Sequence, residues 1–528
     1  MTTTDPVAAR AGRREWIGLA VLALACLLYV MDLTVLHLAV PAITAEMKPT
    51  SSQMLWMIDI YGFFVAGALV TMGTLGDRIG RRRMLLIGAA AFGVISIVAA
   101  FSMNPTMLIV CRALLGIAGA TLAPSTLSLI FHMFQDPKQR SVAIGVWIGA
   151  FSAGSAVGPV LGGILLEMFW WGSVFLLAVP VMAALLILGP KVLPEYRDPD
   201  AGRLDLPSAA LSIVAVLAVI YGFKGIAQDG VQAGFVAAIA VGTALGVVWV
   251  RRQRRIPDPM IDISLFRIRA FNAALSVNFL AIFVAIGYFL FIAQYLQLVV
   301  GLSPLEAGLW SLPSAVGFVV GSQITPRISG RVGPRNLIAG GLAVAAVGMA
   351  MLTQVGGTNG LPLLVTASLV ISLGFAPVFG LTTELIVGSA PPERAGAASG
   401  ISETGAELGG ALGIALLGSI GVATYRRQLS DSLPTATPAD VVDTARDTLG
   451  AAMGVAGELP GPLGAKVIEA AQTAFVSGMH VVAAIGTVLA VGVAAMAWHA
   501  LRSHGGNTTG PDQEATAAAL EPVAEPAG

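Results

Sequence analysis

Fourteen stretches of this chain are apolar for 17 to 28 residues each, and that succession leaves a lipid bilayer as the only solvent in which it can fold. They lie near 17–40, 53–73, 84–102, 107–129, 141–166, 173–190, 207–223, 233–250, 272–298, 307–327, 336–354, 361–388, 396–423 and 475–501. A helix crosses the hydrocarbon core in about 20 residues. Charged residues make up only 11% of the chain, against about 25% in soluble domains. The sequence therefore predicts an all-α polytopic membrane protein with 14 transmembrane helices.

An even number of spans puts both termini on one side, and the basic residues choose that side. Of the 30 Lys and Arg, 23 fall in the termini and the even-numbered loops. Both termini are thus expected in the cytoplasm; the Ala- and Gly-rich composition points to a bacterial source, so the bilayer expected is the plasma (inner) membrane. The basic first fifteen residues precede an apolar run too long for a secretory signal, whose apolar region is about 7–15 residues, so a retained helix is expected. Topology also accounts for the clusters Arg81-Arg82-Arg83 and Arg251-Arg252-Gln253-Arg254-Arg255 without a nucleic-acid partner.

Cys26 and Cys111 sit inside apolar runs and read as small buried residues. The five histidines are scattered, and no nucleophile constellation or metal-ligand cluster is visible. An enzyme is not expected, nor is a metal or other cofactor.

The polar residues inside the spans carry the chemistry. Asp32 lies in the first span and Asp59 in the outer half of the second, beside Trp56 and Tyr61. A charge near the bilayer centre costs at least about 2.5–3.5 kcal/mol, so its default reading is functional. The aromatics read equally as an interfacial belt or as part of a binding site. Arg112 in the fourth span needs carboxylate or carbonyl partners, and Gly116 and Gly119 beside it permit close helix packing. In the thirteenth span, Glu403 and Glu407 stand four residues apart on one face, where like charges repel. At least one must be protonated, paired with a cation or exposed to water.

Three motifs join these residues to a known family. Gly73-Thr74-Leu75-Gly76-Asp77-Arg78-Ile79-Gly80-Arg81-Arg82-Arg83 forms a charged turn between the second and third spans. It resembles the G-x-L-x-D-R-x-G-R-R/K-x motif of the major facilitator superfamily. Leu108 to Ala120 is similar to that family's fourth-helix motif, in which the arginine is implicated in proton coupling; a purely structural Arg112 stands as the other reading. Gly154-Ser155-Ala156-Val157-Gly158-Pro159-Val160-Leu161-Gly162-Gly163 resembles the antiporter motif of its exporters. Pro326 to Arg335 repeats the first motif faintly, without its acid.

The resemblance covers roughly residues 15 to 500 and is nearest to the fourteen-helix drug:proton antiporters that export quaternary ammonium compounds and other drugs. It implies a 6+2+6 plan of two pseudo-symmetric six-helix bundles: a cytoplasmic N-terminus at 1–16, a bundle at 17–190, a linker at 191–270 carrying two inserted helices, a second bundle at 271–502, and a disordered tail at 503–528. The loop 425–474 is expected to form a helical hairpin on the outer face, its arms separated by Pro460-Gly461-Pro462. The function implied is proton-coupled efflux of lipophilic cations, with dedicated export of a self-made antibiotic, lipid or other metabolite as the alternative. Asp32 and Arg112 would serve proton coupling. Asp59, Glu403, Glu407, Trp56, Tyr61 and Trp147, with Phe63, would bind the cation. Gly73, Asp77, Arg78, Gly80 and Arg81 would govern the conformational change, and Gly154, Gly158, Pro159, Gly162 and Gly163 would form the antiporter motif. The partners expected are small lipophilic cations, protons and lipid, with the chain a monomer. Acids in the Ser314 to Phe318 region of some relatives are missing here, leaving the preferred drug charge open.

Overall fold

The structure, a computed structural model, describes residues 10–197, 205–256, 259, 263–356, 360–390 and 395–501. The expected tail at 503–528, the start of the N-terminus and linker residues 198–204 lie outside these. Among the described residues the regular elements are helices. The first group is α1 (Arg13–Met47), α2 (Ser51–Ile79), α3 (Arg81–Ala100), α4 (Pro105–Gly119), α5 (Leu122–Met133), α6 (Pro137–Met168), α7 (Ser173–Leu176) and α8 (Ala178–Val192). A pair follows, α9 (Leu206–Asp229) and α10 (Ala233–Gln253). The last group is α11 (Arg269–Gln294), α12 (Pro304–Val332), α13 (Pro334–Leu352), α14 (Leu361–Gly388), α15 (Ala395–Ser432), α16 (Ala439–Asp447), α17 (Leu449–Ala456) and α18 (Gly461–Ala500).

Eleven of the described helical segments are long and apolar enough to cross a membrane, counting α4 with α5 and α7 with α8 as one crossing each. Helices α6, α9 and α12, with 32, 24 and 29 residues, supply the other three crossings, since 24 residues already reach about 36 Å. Fourteen crossings result. The fourth is not the single run the sequence suggested: Ala120 and Thr121 interrupt it, and Thr121 turns its hydroxyl onto the Ala118 carbonyl at 2.8 Å.

The charged turn of the sequence is shorter than expected. Helix α2 continues through Gly73 to Ile79, and Gly80 alone, at φ +112°, separates it from α3. A side chain rarely adopts that backbone, which is why glycine stands there. Gly333 repeats the device between α12 and α13 at φ +80°. The weak echo in sequence is thus the same backbone hinge in both halves, as pseudo-symmetric transporter repeats require.

The long loop before the last span also differs from the expected bounds. Helix α15 runs on to Ser432, and the segment after Pro460 is no separate arm but the opening turns of the 40-residue α18. Pro462 sits in the first turn of α18, where a missing N–H costs nothing. What remains folds into α16 and α17. Tyr425 donates to the Ala445 carbonyl at 2.7 Å, and Ser51 at the start of α2 donates to the Asp447 carbonyl, so this hairpin bridges the two groups of helices.

Candidate functional site

Arg112 organises the membrane interior. It is fully buried on α4, and its Nη1 lies 2.5 Å from Asp32 Oδ2 on α1. Its Nε donates to the Met57 carbonyl of α2 at 3.2 Å, and its guanidinium carbon stands 4.5 Å from the centre of the Tyr61 ring. A buried cation is tolerated when an opposite charge and acceptors surround it in this way. The glycines of α4 make the arrangement possible. A Cβ at Gly116 would come 2.5 Å from the Tyr61 carbonyl oxygen, and one at Gly119 would come 2.8 Å from its hydroxyl. Any larger residue would push α2 and its tyrosine away from the arginine.

From Tyr61 the cluster crosses to the second half of the molecule. Tyr61 and Tyr29 have ring centres 6.3 Å apart, and Tyr29 donates its hydroxyl to Glu407 Oε1 on α15 at 2.5 Å. The charge of Glu403 reaches Tyr29 and Cys26, and that of Glu407 reaches Tyr61. Among the described residues, no lysine or arginine pairs with either glutamate, so Asp32 has a resident cation and the glutamates have none. Tyr29 was missed by the sequence reading. Its signal was its position three residues before Asp32, on the same helix face.

The other predicted residues take different places. Asp59 is buried at 1% exposure. Helical spacing puts it with Trp56 and Phe63, on the side of α2 away from Met57 and Tyr61. Trp56 meets Phe63 at 6.3 Å between ring centres, and both pack in an apolar cluster with Ile220 of α9 and Ala411 of α15. Trp147 on α6 donates to Thr126 of α5 at 3.1 Å, and that hydroxyl lies 3.4 Å from Cys26. Trp147 therefore stands beside the Cys26 end of the cluster, while Trp56 faces the inserted pair. A void beside Asp32, bounded by Leu28, Val35 and Phe175, measures about 10 Å³, near the least that holds one water, about 10–15 Å³. That void by itself admits no drug-sized guest.

The glycine-rich stretch of α6 serves two contacts. Gly154, Gly158 and Gly162 face α1, where a Cβ would meet the Leu27 carbonyl, Thr34 and Val35 respectively. Gly163 faces α12 instead, with Leu305 Cα and the Pro304 carbonyl oxygen each 2.7 Å from a Cβ built there. Gly308 of α12 lies in turn against the Pro159 carbonyl. One motif thus joins the first bundle internally and also to the second.

At the α2–α3 junction, Gly76 lies against the Arg81 side chain, and the Arg81 N–H donates to the Tyr196 carbonyl at 2.8 Å. Arg82 pairs with Glu195 at 3.4 Å and donates to the Leu193 carbonyl at 3.0 Å, while Arg83 approaches Glu195 at 3.9 Å. Gly73 borders Pro124 of α5, and Arg78 closes the last turn of α2. The side chain of Asp77 lies outside the described residues. Glu195 and Tyr196, in the segment after α8, were not singled out from sequence; no spacing relates them to the motif they hold.

Comparison with known proteins gives a consistent result. Residues 22–414 match the profile of the Major Facilitator Superfamily. The chain is 42% identical over 497 residues to a protein of Mycolicibacterium smegmatis named multidrug efflux pump LfrA, covering 94% of this chain and 98% of that one. It is 35% identical over 472 residues to the methyl viologen resistance protein SmvA of Salmonella typhimurium, covering 88% and 93%. It is 30% identical over 494 residues to the tetracenomycin C resistance and export protein of Streptomyces glaucescens, covering 92% and 91%. In fold it is similar to a bacterial homologue of the human lysosomal transporter Spinster, solved inward-facing and unoccupied, with a TM-score of 0.63 at 16% identity over 93% of this chain and 99% of that one.

Proposed function

Because this chain belongs to the major facilitator superfamily, and so is a membrane transporter and not an enzyme, we propose that it exports lipophilic organic cations from a bacterial cell in exchange for protons. Drug export is supported by the relatives named as a multidrug efflux pump and as a methyl viologen resistance protein, the latter named for an organic cation. The observation that carries the cation reading is the unequal treatment of the acids. Asp32 is held by Arg112, whereas among the described residues Glu407 meets the Tyr29 hydroxyl and neither it nor Glu403 has a resident cation. A membrane-embedded carboxylate without a cation needs either a proton or a positive guest. The two cannot share it favourably, and that exclusion is the coupling.

In this reading Asp32 takes the proton and Glu403 and Glu407 receive the guest. Protonating Asp32 removes the charge that holds Arg112, leaving the guanidinium to Met57 and the face of Tyr61. Tyr61 also neighbours Tyr29, so the state of the ion pair is passed toward Glu407 through adjoining rings. Asp59, Trp56 and Phe63 would offer a second contact to the guest from the far face of α2. Both termini would lie in the cytoplasm, as the basic residues require, and the chain would act as a monomer. Each net charge moved inward through 100 mV releases about 2.3 kcal/mol, so exchanging more protons than drug charges drives export uphill.

Reconstitution in vesicles containing this protein alone, with an imposed pH gradient and ethidium as the probe, tests the reading. Gradient-driven ethidium movement that disappears in Asp32→Asn is expected, and unchanged movement removes Asp32 from the mechanism. The similarity to a tetracenomycin C resistance and export protein favours a second reading, dedicated export of one antibiotic. In that case a panel of cations is not carried, and neutralising Glu407 leaves the true substrate unaffected.

A further inference from the structure

The inserted pair leaves a gap outside the Arg112–Glu407 cluster, sharing Ile220, Leu408 and Leu412 with the apolar cluster of Trp56 and Phe63. Helix α9 packs on α2, where Gly67 faces Ile213, and on α15 through Ile220. Helix α10 packs on α9 and stands largely exposed outside it. Between α10 and α15 lies a cavity of about 530 Å³, floored by Ala215 and Val219 of α9 and walled by Leu408 and Leu412 of α15. The α10 face that lines it is open at Gly246, where a Cβ would meet nothing within 4 Å, while Gly242 seats α10 on α9, a Cβ there coming 2.7 Å from the Ala215 carbonyl oxygen.

The groove is apolar along its length and basic at one end. Arg251 and Arg254 line that end, both exposed, and among the described residues neither has a carboxylate partner. Arg252 between them is different: it binds Asp205 at 2.9 Å and Ser208 at 3.0 Å, clasping the end of α10 to the start of α9. The clasp uses one guanidinium and leaves two turned to the groove. From Gly242 to Arg254 the helix rises about 18 Å, close to the half-thickness of a hydrocarbon core of about 30 Å. The groove therefore matches one leaflet, with its charges at headgroup depth.

We propose that this groove is a binding site for an anionic phospholipid, with an acyl chain along Val219, Gly246 and Leu412 and the phosphate between Arg251 and Arg254. Charge complementarity selects this occupant. A groove of this size would also admit a drug-sized molecule, but two guanidinium groups without a carboxylate among the described residues repel the organic cations that the transport cluster would carry. Basic pockets between membrane helices recognise anionic headgroups on the same physical ground.

The test is native mass spectrometry of the full-length protein, released from detergent after titration with phosphatidylglycerol or phosphatidylcholine. The unmodified chain is expected to retain phosphatidylglycerol in preference. Arg251→Ala with Arg254→Ala should weaken that retention about 30-fold, taking about 1 kcal/mol for each arginine. Gly246→Trp, which fills the groove from open space, should remove it while both arginines remain. The pair Arg327→Ala and Arg331→Ala, exposed at the end of α12, should leave it intact. Equal retention by all variants overturns the proposal. So does an equal loss on removing Arg327 and Arg331, which would mark a diffuse surface field. Gly246→Trp abolishing ethidium binding while sparing phosphatidylglycerol also overturns it, and would make the groove a drug passage.

Discussion

Arg112 admits a structural and a coupling reading, and a pair of substitutions separates them. Asp32→Asn leaves a guanidinium buried without its carboxylate, which should cost about 3–5 kcal/mol of stability. Adding Arg112→Met should recover most of that in thermal unfolding, because an uncharged pair needs no counter-ion. Transport should stay at background in both; return of gradient-driven efflux in the double variant would make the pair structural only. At Glu407, replacement by Gln keeps the volume and the Tyr29 contact but removes the charge. Ethidium affinity measured by fluorescence should fall roughly tenfold or more, the loss of one desolvated ionic partner. Asp32, Arg112 and the glutamates could be found from sequence because charge is conspicuous in an apolar run. Tyr29 and Glu195 could not: a tyrosine in a membrane helix and a glutamate in a linker are unremarkable until the fold brings partners to them.

Helix α6 meets two neighbours through one glycine stretch, and each contact can be broken alone. Gly163→Leu places a side chain where Leu305 Cα and the Pro304 carbonyl oxygen already stand, 2.7 Å from the first added carbon. The ends of α6 and α12 should separate, raising thiol-reagent access at a cysteine replacing the half-buried Leu305 and lowering efflux; unchanged access would show that the two helices yield without parting. The α16–α17 hairpin predicts a pH effect. Burial pushes the Asp447 carboxyl above the ordinary range, and Arg426 at 3.5 Å draws it back only in part. A carboxyl raised in the folded state binds its proton more tightly there than when undocked. Docking should therefore strengthen as pH falls through the range just above the ordinary aspartate value, and weaken as pH rises out of it. Amide exchange of α16 and α17 at mildly acidic and at neutral pH checks this, and Asp447→Asn should flatten the response.

Over the whole molecule, the number of crossings was legible because each apolar run is long enough to count by itself. Continuity between runs was not. Helix α2 keeps its ladder through Gly73 and Gly76 because the Arg81 side chain and Pro124 fill the surface they leave, partners a local reading cannot supply. Likewise, nothing between Leu463 and Val476 stops a helix, so α18 absorbs what polarity had marked as loop. The candidate site was legible as a set of charges and illegible as a geometry: Asp32 and Asp59 look equivalent in sequence, yet they occupy opposite sides of α2. Orientation is open to a direct check, since the native cysteines are buried. A cysteine at exposed Thr435 should react with an impermeant reagent added outside intact cells, and one at Ala11 only after permeabilisation; the reverse pattern would invert the assigned topology.

The seam between α6 and α12 is made mostly where glycines let main chain touch main chain; the Ser303 hydroxyl donates to Glu167 at 3.4 Å at its exposed end, and no ion pair crosses it among the described residues. Ionic strength has almost nothing to grip there. The opening of that seam should then depend on fit and membrane pressure, so one unwanted methyl group would jam the carrier more effectively than a molar excess of salt.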